Sequence, residues 1–466
     1  MGTSFHTLVE RARSLRDRDR RARTIAGLAL LVAIFVPINL AIYYFWTSGV
    51  SSLKPLFATL STLKPLQLWL TANNLDTADS WLPMRAALDW VRTAPDGSLY
   101  HEIFFDRHLK FQYAPTSLLP LAGLDEIGLG TDPVFLNRIN RLLLLLSAIG
   151  IGALTWILLP NSGRTHNDSI TRGFAALVVG GATFLFFPMT YGYLLGQLQV
   201  WNNALFIFAC LAWALDKRIA AGVLIGMICL FKPQLGVFAL WGLLRREWGF
   251  FLGLAITSAA GLVASVFLFG LQNNIGYLEV LSYISRHGEA HLSNHSFNGL
   301  LHRMVGDDDG LIWRNDTFSP FHPVVYAGTL VTSAVILLIG LWPRGRLTGL
   351  NGLLQFQLAA LAFTIASPLA WEPHYGVLAP IFATLFCFVL GMPDRRTREA
   401  WLLGLAITFV VSANHWAFVG LFAHTPLLVL QSYLLFAALG VMAMLWRATK
   451  IPGPVLASQR MVPIQR

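Results

Sequence analysis

The feature that most constrains the fold of this chain is a series of long apolar segments between residues 25 and 446. A helix that crosses a bilayer needs about 20 predominantly apolar residues. Only 12% of the residues are charged, which is about half of the fraction found in soluble domains. We therefore expect an all-α, polytopic membrane protein. The segments that match a span are 25–46, 134–159, 173–189, 198–215, 249–270, 323–342, 351–369, 376–391, 400–418 and 427–446.

A shorter pair of apolar segments, 219–231 and 235–244, is separated by Lys232-Pro233-Gln234. Each arm is too short to cross a bilayer comfortably, so the pair predicts a hairpin whose tip lies below the outer surface. With both arms counted, the sequence predicts about twelve membrane helices. They form a single domain, 25–446, between a basic N-terminal segment, 1–24, and a C-terminal tail, 447–466. The stretch 117–133 is apolar but interrupted by Pro120, which predicts an interfacial or re-entrant segment.

The positions of Lys and Arg predict the orientation, because cytoplasmic flanks of membrane spans collect these residues. Seven arginines precede the first span, and the predicted inner segments hold 22 of the 34 Lys and Arg residues, against 10 in the outer segments. Both termini are therefore predicted to be cytoplasmic, with the two long polar loops, 47–115 and 271–322, outside. Connections in compact domains usually have about four to six residues. Loops as long as these two indicate an extracytoplasmic site.

Composition also limits the partners. A net charge of +10 could suggest nucleic acid, but basic cytoplasmic loops beside anionic lipid headgroups explain it better. The three cysteines, Cys210, Cys229 and Cys387, all lie in apolar runs, a pattern that predicts neither a disulfide framework nor a thiolate metal site.

Two carboxylates in the first outer loop are candidates for chemistry. Asp76 and Asp79 lie three residues apart, within one turn if this segment is helical. A carboxylate at this position can take a proton from an attacking hydroxyl group. The competing interpretation is a helix cap, since Asp is a favoured capping residue.

Donor groups form a second set of candidates. Lys232 at the hairpin tip could bind a lipid phosphate, because an ionisable residue at membrane depth is costly; it could also reach the interface along its own stem. Arg303 can hold a phosphate through two parallel hydrogen bonds, and His302 precedes it. His374 can donate a hydrogen bond or carry a proton, or it can be an ordinary polar residue in an aromatic belt.

The order of the motifs resembles glycosyltransferase family 87, membrane enzymes of the GT-C architecture. The segments that carry the resemblance are Asp79 to Ala87, Tyr113-Ala114-Pro115, Gly196-Gln197, Lys232-Pro233, Asn294-His295-Ser296-Phe297-Asn298-Gly299 and Ser367-Pro368…Trp371-Glu372-Pro373-His374. The chain departs from the family pattern at Ser80, Ala114 and His295, which stand where an aromatic residue, a proline and a glutamine are expected.

The resemblance implies inverting transfer of a hexose, most often mannose, from a polyprenyl-phosphate sugar to a lipid or glycan acceptor. Asp79 would be the base and His374 a second catalytic group, with Lys232, Arg303 and His302 on the donor phosphate. It implies no cofactor and no metal, and a monomer in a bacterial plasma membrane with the site facing outside. The implied substrate-binding residues are Asp76, Tyr113, Gln197, Asn294, Ser296, Asn298, Trp371, Glu372 and Tyr375.

Three alternatives remain from the sequence. A transporter or flippase of a lipid-linked glycan would place ionisable groups near the midplane and show internal pseudo-symmetry, whereas here the polar motifs fall on one face. A structural scaffold gives no reason for Lys232 at membrane depth. An arabinosyltransferase of the same architecture differs only in the sugar.

Overall fold

The computed structural model describes residues 22–41, 63–71, 75–94, 97–159, 166–305, 310–314, 316–343 and 347–451. Within these ranges the chain is helical, and its one extended pairing is an isolated bridge between Asn294 and Trp371. The predicted all-α class is confirmed. Residues 1–21 and 452–466, which include most of the predicted N-terminal segment and tail, lie outside the described residues.

The helices are short to medium in length, and several are joined by single 3₁₀ turns. In chain order they are α1 (Ala22–Ala41), α2 (Leu63–Thr71), α3 (Trp81–Thr93), α4 (Leu119–Glu126), α5 (Pro133–Leu158), α6 (His166–Gly181), α7 (Phe187–Leu195), α8 (Gln199–Ala214), α9 (Arg218–Phe231), α10 (Val237–Leu244), α11 (Trp248–Phe269), α12 (Leu271–His287), α13 (Phe297–Val305), α14 (Pro323–Leu341), α15 (Gly349–Ile365), α16 (Leu378–Leu390), α17 (Arg395–Ser412) and α18 (Tyr433–Ala448).

Six helices in the described residues are long and apolar enough to cross a membrane, or seven if the bent pair α6–α7 is one span. The predicted segment 173–189 is therefore not one straight helix: the bend is 48°. Pro188 lies at the start of α7, where proline is compatible with a helix N-terminus but not with a continuous helix. Every other predicted apolar segment is helical over most of its length, whereas the count of twelve spans is not established.

The helices differ in how much of their surface is buried, and this difference identifies the centre of the bundle. In the segment Glu372–Leu390, 94% of the apolar window is buried, against 22% in both Trp248–Phe269 and Pro323–Leu341. The first segment is central and the other two present most of their side chains to lipid. Within the centre, Gln357 donates hydrogen bonds to the Pro380 carbonyl at 3.2 Å and to the Thr384 hydroxyl at 2.9 Å.

Two short helices joined by a turn flank Lys232, as the sequence predicted. Arm α9 ends at Phe231, and a 3₁₀ turn, Pro233–Gly236, leads into α10. Arm α9 packs closely against α11: a Cβ added at Gly222 would lie 2.0 Å from the Phe250 carbonyl oxygen. This close approach fixes the arm, and with it the height of Lys232 in the bundle.

The described parts of the two predicted outer loops contain more helix than the sequence suggested. The predicted loop 271–322 contains α12 and α13, and the predicted loop 47–115 contains α2, α3 and a single wide helical turn, His101–Asp106. The stretch 117–133 forms only a 3₁₀ turn and the short helix α4, too short for a pair of spans. Apolar side chains of α3, the wide turn and α12 form a second core beside the main one.

Candidate active site

A cavity of about 260 Å³ lies between the two predicted outer loops, the turn at Lys232 and the segment 366–374. It contains four amide side chains and one lysine within largely apolar walls. Its lining residues are Gln112, Tyr113, Gln197, Gln199, Phe231, Lys232, Gln234, Tyr277, Leu281, Ile284, Ser285, Leu337, Phe363, Ala366, Ser367, Pro368, Leu369, Trp371 and His374. Five of the residues that the sequence singled out therefore meet in one place, although they are spread over more than 260 positions of the chain.

Asp79 lies beside this cavity, held by its backbone. Its N–H donates to the Leu195 carbonyl at 3.0 Å, and the next N–H, of Ser80, donates to the Gly196 carbonyl at 3.2 Å. The buried amide of Asn137 donates to the Thr77 carbonyl at 2.7 Å. The residues before the carboxylate are thus tied to both α5 and the end of α7.

Glycine is required at position 196 by this arrangement. Gly196 ends α7 in the left-handed conformation, with φ +70°, a region that favours glycine. A Cβ built on it would lie 2.1 Å from the carbonyl oxygen of Thr77. The close approach of Gly196 to Thr77 helps to set the position of Asp79, which is two residues after Thr77.

The Asp79 carboxylate is directed at Gln197, whose Nε2 donates to Oδ2 at 2.6 Å. Asp79 is accessible to solvent, although protein surrounds it on most sides. Burial raises the pKa of Asp79, against the hydrogen bond from Gln197 and the charge of Lys110, which both lower it. A carboxylate with solvent access and a raised pKa is suited to accept a proton.

The structure decides between the two interpretations of the acidic pair. Helix α3 begins at Trp81, the N-cap position is Ser80, and no side chain caps this helix. Asp79 is therefore not a helix cap. Asp76 is exposed and lies before the helix, so the two carboxylates do not share a helical turn.

Ser80 and Tyr113 form one side of the site next to Asp79, and Tyr113 lines the cavity. The Ser80 hydroxyl lies 2.7 Å from the Tyr113 hydroxyl and accepts a hydrogen bond from the Leu198 N–H at 3.0 Å. Burial, followed by the Asp79 charge, raises the pKa of Tyr113, so the phenol stays neutral and can donate. Ser80, a departure from the family pattern, thus joins the first outer loop to the start of α8.

Lys232 and His374 line the cavity together, and they also line a smaller cavity of about 60 Å³ beside it. Among the described residues, no carboxylate forms an ion pair with Lys232. Nδ1 of His374 accepts from the Trp371 N–H at 3.0 Å, which leaves Nε2 to carry a proton. The Trp371 ring lies parallel to the imidazole, with centroids 6.2 Å apart.

Arg303 and His302, which were predicted to bind the donor phosphate, lie away from the cavity and contact groups of the chain itself. Arg303 is buried, and its Nη1 donates to the carbonyls of Ala290, His291 and Asn294 at 3.1 to 3.2 Å. Burial lowers the pKa of Arg303 to about 9, still above neutral pH. His302 is also buried, with Nε2 2.6 Å from the His287 carbonyl oxygen. Both side chains hold the segment 287–303 together and do not line the cavity.

Asn294, Ser296 and Asn298, which were predicted to bind substrate, also lie away from the cavity. All three are buried. The Asn294 amide and the Ser296 hydroxyl both donate to the Pro368 carbonyl, at 3.1 Å and 2.8 Å, and the Asn298 amide donates to the Thr329 hydroxyl at 3.2 Å. The hydrogen bonds of Asn294 and Ser296 fix the position of Pro368, which itself lines the cavity.

Glu372 and Tyr375, two further predicted substrate-binding residues, also lie outside the cavity lining. Tyr375 is fully buried and donates to the His295 carbonyl at 2.5 Å. Glu372 is buried, with Oε1 2.5 Å from Nδ1 of His415 and 3.4 Å from the Tyr433 hydroxyl. These contacts hold the turn that carries Trp371 and His374.

Sequence reasoning missed His415, Tyr433 and several wall residues. Burial by itself lowers the pKa of His415, but the charge of Glu372 outweighs it and the pKa is raised. No spacing in the sequence relates Glu372 to a histidine 43 residues away. Gln112 and Gln234 did carry a signal, since each directly adjoins a motif residue, Tyr113 and Pro233.

The described part of the chain contains no group of three or more His, Cys, Asp or Glu side chains arranged to hold a metal ion.

Comparison with known proteins gives one match. The family model of glycosyltransferase family 87 matches residues 111–368, more than half of the 466-residue chain. This range includes Tyr113, Gln197 and Lys232, while Asp79 and His374 lie outside it. No curated protein and no solved structure matches the chain.

Proposed function

The chain belongs to glycosyltransferase family 87 and is a membrane glycosyltransferase, and we propose that it transfers a hexose from a polyprenyl-phosphate sugar to a lipid or glycan acceptor. Mannose is the sugar that the family resemblance favours. Family membership gives no support to the transporter and scaffold alternatives. The proposed orientation places the cavity at the outer face of a bacterial plasma membrane with both termini cytoplasmic.

The main support for the proposal is that a carboxylate and two hydrogen-bond donors meet around one cavity. The Asp79 carboxylate adjoins it through Gln197, and Lys232 and His374 belong to its wall. A donor with an anionic leaving group needs a cation without a competing carboxylate, and Lys232 meets that condition among the described residues. An acceptor hydroxyl needs a base with solvent access, which Asp79 provides.

The proposed reaction is a single displacement. The acceptor oxygen forms a bond to the anomeric carbon as the bond from that carbon to the phosphate oxygen breaks. The hydroxyl proton goes to Asp79 and the electron pair of the broken bond stays on the phosphate. Attack opposite the leaving group inverts the anomeric configuration.

Lys232 and His374 contribute by stabilising the charge that develops on the departing phosphate. Donors held in place before the reaction supply the electrostatic term that usually dominates catalysis. The hydrogen bond from the Trp371 N–H to Nδ1 of His374 leaves Nε2–H to donate. Phosphate is already a fair leaving group, so neither residue has to act as a strong acid.

Membranes that contain the protein, with radiolabelled polyprenyl-phosphate mannose as donor, test the proposal directly. Membranes that lack the protein are the control, and the corresponding glucose and arabinose donors test the sugar. We expect protein-dependent transfer of mannose to an extractable lipid or glycan. Protein-dependent transfer from arabinose alone would identify an arabinosyltransferase, and no transfer from any of these lipid donors would refute the proposed donor class.

A further inference from the structure

Helix α8 carries three buried amide side chains in an otherwise apolar sequence. They are Gln199, Asn202 and Asn203, and each is less than a tenth exposed. Residues three and four positions apart lie on the same face of a helix, so the three amides form one stripe. A buried amide without a hydrogen-bond partner is costly, and the partners of this stripe therefore indicate its purpose.

The amides form a chain that leads to the candidate active site. Nδ2 of Asn203 donates to the Pro373 carbonyl at 3.0 Å. Because a carbonyl oxygen only accepts, this bond fixes the orientation of the amide, and its Oδ1 accepts from Nε2 of Gln199 at 2.9 Å. Gln199 accepts in turn from Asn202 at 3.4 Å, and it lines the cavity. The chain thus runs from the cavity wall to the residue before His374.

Asn203 contacts the 3₁₀ turn Glu372–Val377 on both sides of His374. Pro373 directly precedes His374, and Gly376 follows it by two residues. A Cβ built on Gly376 would lie 2.1 Å from Nδ2 of Asn203 and 2.5 Å from its Cγ. No residue larger than glycine fits at this position while Asn203 keeps its place. The amide therefore holds both ends of the short segment that carries His374.

The attachment of this turn determines where the imidazole of His374 lies. His374 is bonded within the turn itself: its backbone N–H donates to the Trp371 carbonyl at 2.8 Å, and its Nδ1 accepts from the Trp371 N–H at 3.0 Å. Glu372 attaches one end of the turn to His415. Asn203 attaches the turn to α8. A change at either attachment moves the imidazole as part of the turn.

Buried amides also join membrane helices without any part in chemistry, and Gln357 is an example in this chain. It is fully buried, and it donates to the Pro380 carbonyl at 3.2 Å and to the Thr384 hydroxyl at 2.9 Å. Like Asn203, it donates to a proline carbonyl of the central segment, but it does not line the cavity. Gln357 is therefore a matched comparison for Asn203.

We propose that Asn203 is a positioning residue for sugar transfer, which places His374 beside the departing phosphate through its contacts with Pro373 and Gly376. Gln199 supports this arrangement by holding Oδ1 of the amide. The inference rests on the proposed role of His374. A residue that acts through His374 has no effect on turnover once His374 is removed, whereas the loss of an independent helix contact adds to other losses.

The first test follows His374 without sugar transfer. Diethylpyrocarbonate acylates the unprotonated nitrogen of an imidazole, and in His374 this nitrogen, Nδ1, is occupied by the Trp371 N–H. The labelling rate is measured by mass spectrometry of the purified full chain, with the exposed His101 as internal reference. We expect Asn203→Ala to raise the labelling rate of His374 severalfold, because a loosened turn releases Nδ1. Gln357→Ala should leave the rate at the wild-type value.

The second test is a double-substitution cycle in the transfer assay. Asn203→Ala should lower kcat by up to about 100-fold, the cost of displacing a reacting group by about 1 Å, with little change in donor KM. Added to His374→Ala, it should lower kcat no further. Gln357→Ala should lower the unfolding temperature as Asn203→Ala does but leave kcat near its starting value in either background.

A wild-type labelling rate in Asn203→Ala would refute the proposal, as would an equal increase in Gln357→Ala or an additive loss of kcat with His374→Ala. If Asn203→Ala does not fold, Gly376→Ala decides the matter, because it crowds the same contact from the other side. It should also raise the labelling rate of His374, and an unchanged rate would refute the role of the contact. Absence of transfer by the wild-type protein would refute the transferase reaction and leave the labelling result interpretable.

Discussion

Gly196→Ala should reduce sugar transfer far more than it reduces stability. The substitution places a Cβ where the structure has the Thr77 carbonyl oxygen 2.1 Å away, a distance that no pair of non-bonded atoms tolerates. Either α7 or the segment before Asp79 must therefore move. Because Asp79 is bonded to Leu195 and Gln197, the movement changes the position of the carboxylate relative to the cavity.

The magnitude has two parts. Alanine in the left-handed conformation costs about 1–2 kcal/mol. A displacement of about 1 Å in a reacting group costs about 100-fold in rate. Gly128 provides a matched control, since it also has a positive φ, +77°, but no atom within 4 Å of a built Cβ. Gly128→Ala therefore carries the conformational cost without the displacement.

The assay compares kcat and the unfolding temperature of the two variants in detergent. We expect a larger loss of unfolding temperature in Gly196→Ala, because the clash with Thr77 adds to the conformational cost that both variants share. We expect kcat to be about 100-fold lower in Gly196→Ala and near wild type in Gly128→Ala. Equal kcat values in the two variants would show that the contact with Thr77 does not position the base.

Three further predictions follow from single contacts. Lys232→Met should raise KM for the lipid donor about 10- to 100-fold, the equivalent of one charged hydrogen bond of about 1.5–3 kcal/mol, whereas the exposed Lys217→Met should not; equal effects would remove Lys232 from the site. Arg303→Met should lower unfolding stability by about 1–3 kcal/mol with little change in donor KM, and the reverse pattern would restore Arg303 to the phosphate. Because Glu372 raises the pKa of His415, the stabilisation from this pair is complete below about pH 6.5, the ordinary value of histidine, and is lost as pH rises through the folded pKa. When pH is raised through the folded pKa of His415, the unfolding temperature of His415→Asn should therefore fall less than that of the wild type. An identical fall in both proteins would contradict the pairing.

The helical framework was predictable because hydrophobic length is a local signal. Lipid exposure requires it in every span, and the Lys-Pro dipeptide marked the hairpin tip. The bend between α6 and α7 was missed although Pro188 signals it, since the apolar run continues across the break. Helices inside the outer loops were missed because their faces pack on protein and carry no long apolar run.

The candidate site was predicted in part, and the reason lies in the partners of each polar side chain. Gln197, Lys232 and His374 line one cavity, and Asp79 lies beside it through its hydrogen bond with Gln197. Arg303 follows the motif Asn294 to Gly299, but its Nη1 donates to backbone carbonyls. Every residue has a backbone carbonyl, so the sequence does not reveal these partners. A polar residue next to a motif can therefore face a substrate or face the chain itself.

The partners of Asn294 were also not predictable from the sequence. Its hydrogen bond joins Asn294 to Pro368, 74 residues away, and the bridge to Trp371 lies in the same place. The motif at Asn294 and the motif at Pro368 to Trp371 both looked like substrate-binding motifs, but some of their residues contact each other. Only the fold shows that one of them supports the other.

The most direct test of the central claim is the turnover of Asp79→Asn. The amide keeps the shape of the side chain and can still accept the hydrogen bond from Gln197, but it cannot take the acceptor proton. Loss of general-base assistance typically costs about 100- to 10,000-fold in rate, so kcat should fall by that factor while donor affinity is kept. Asp76→Asn, at an exposed carboxylate, should remain near wild type. Transfer by Asp79→Asn at a rate near wild type would contradict the account, and an inactive Asp76→Asn beside an active Asp79→Asn would place the base three residues earlier.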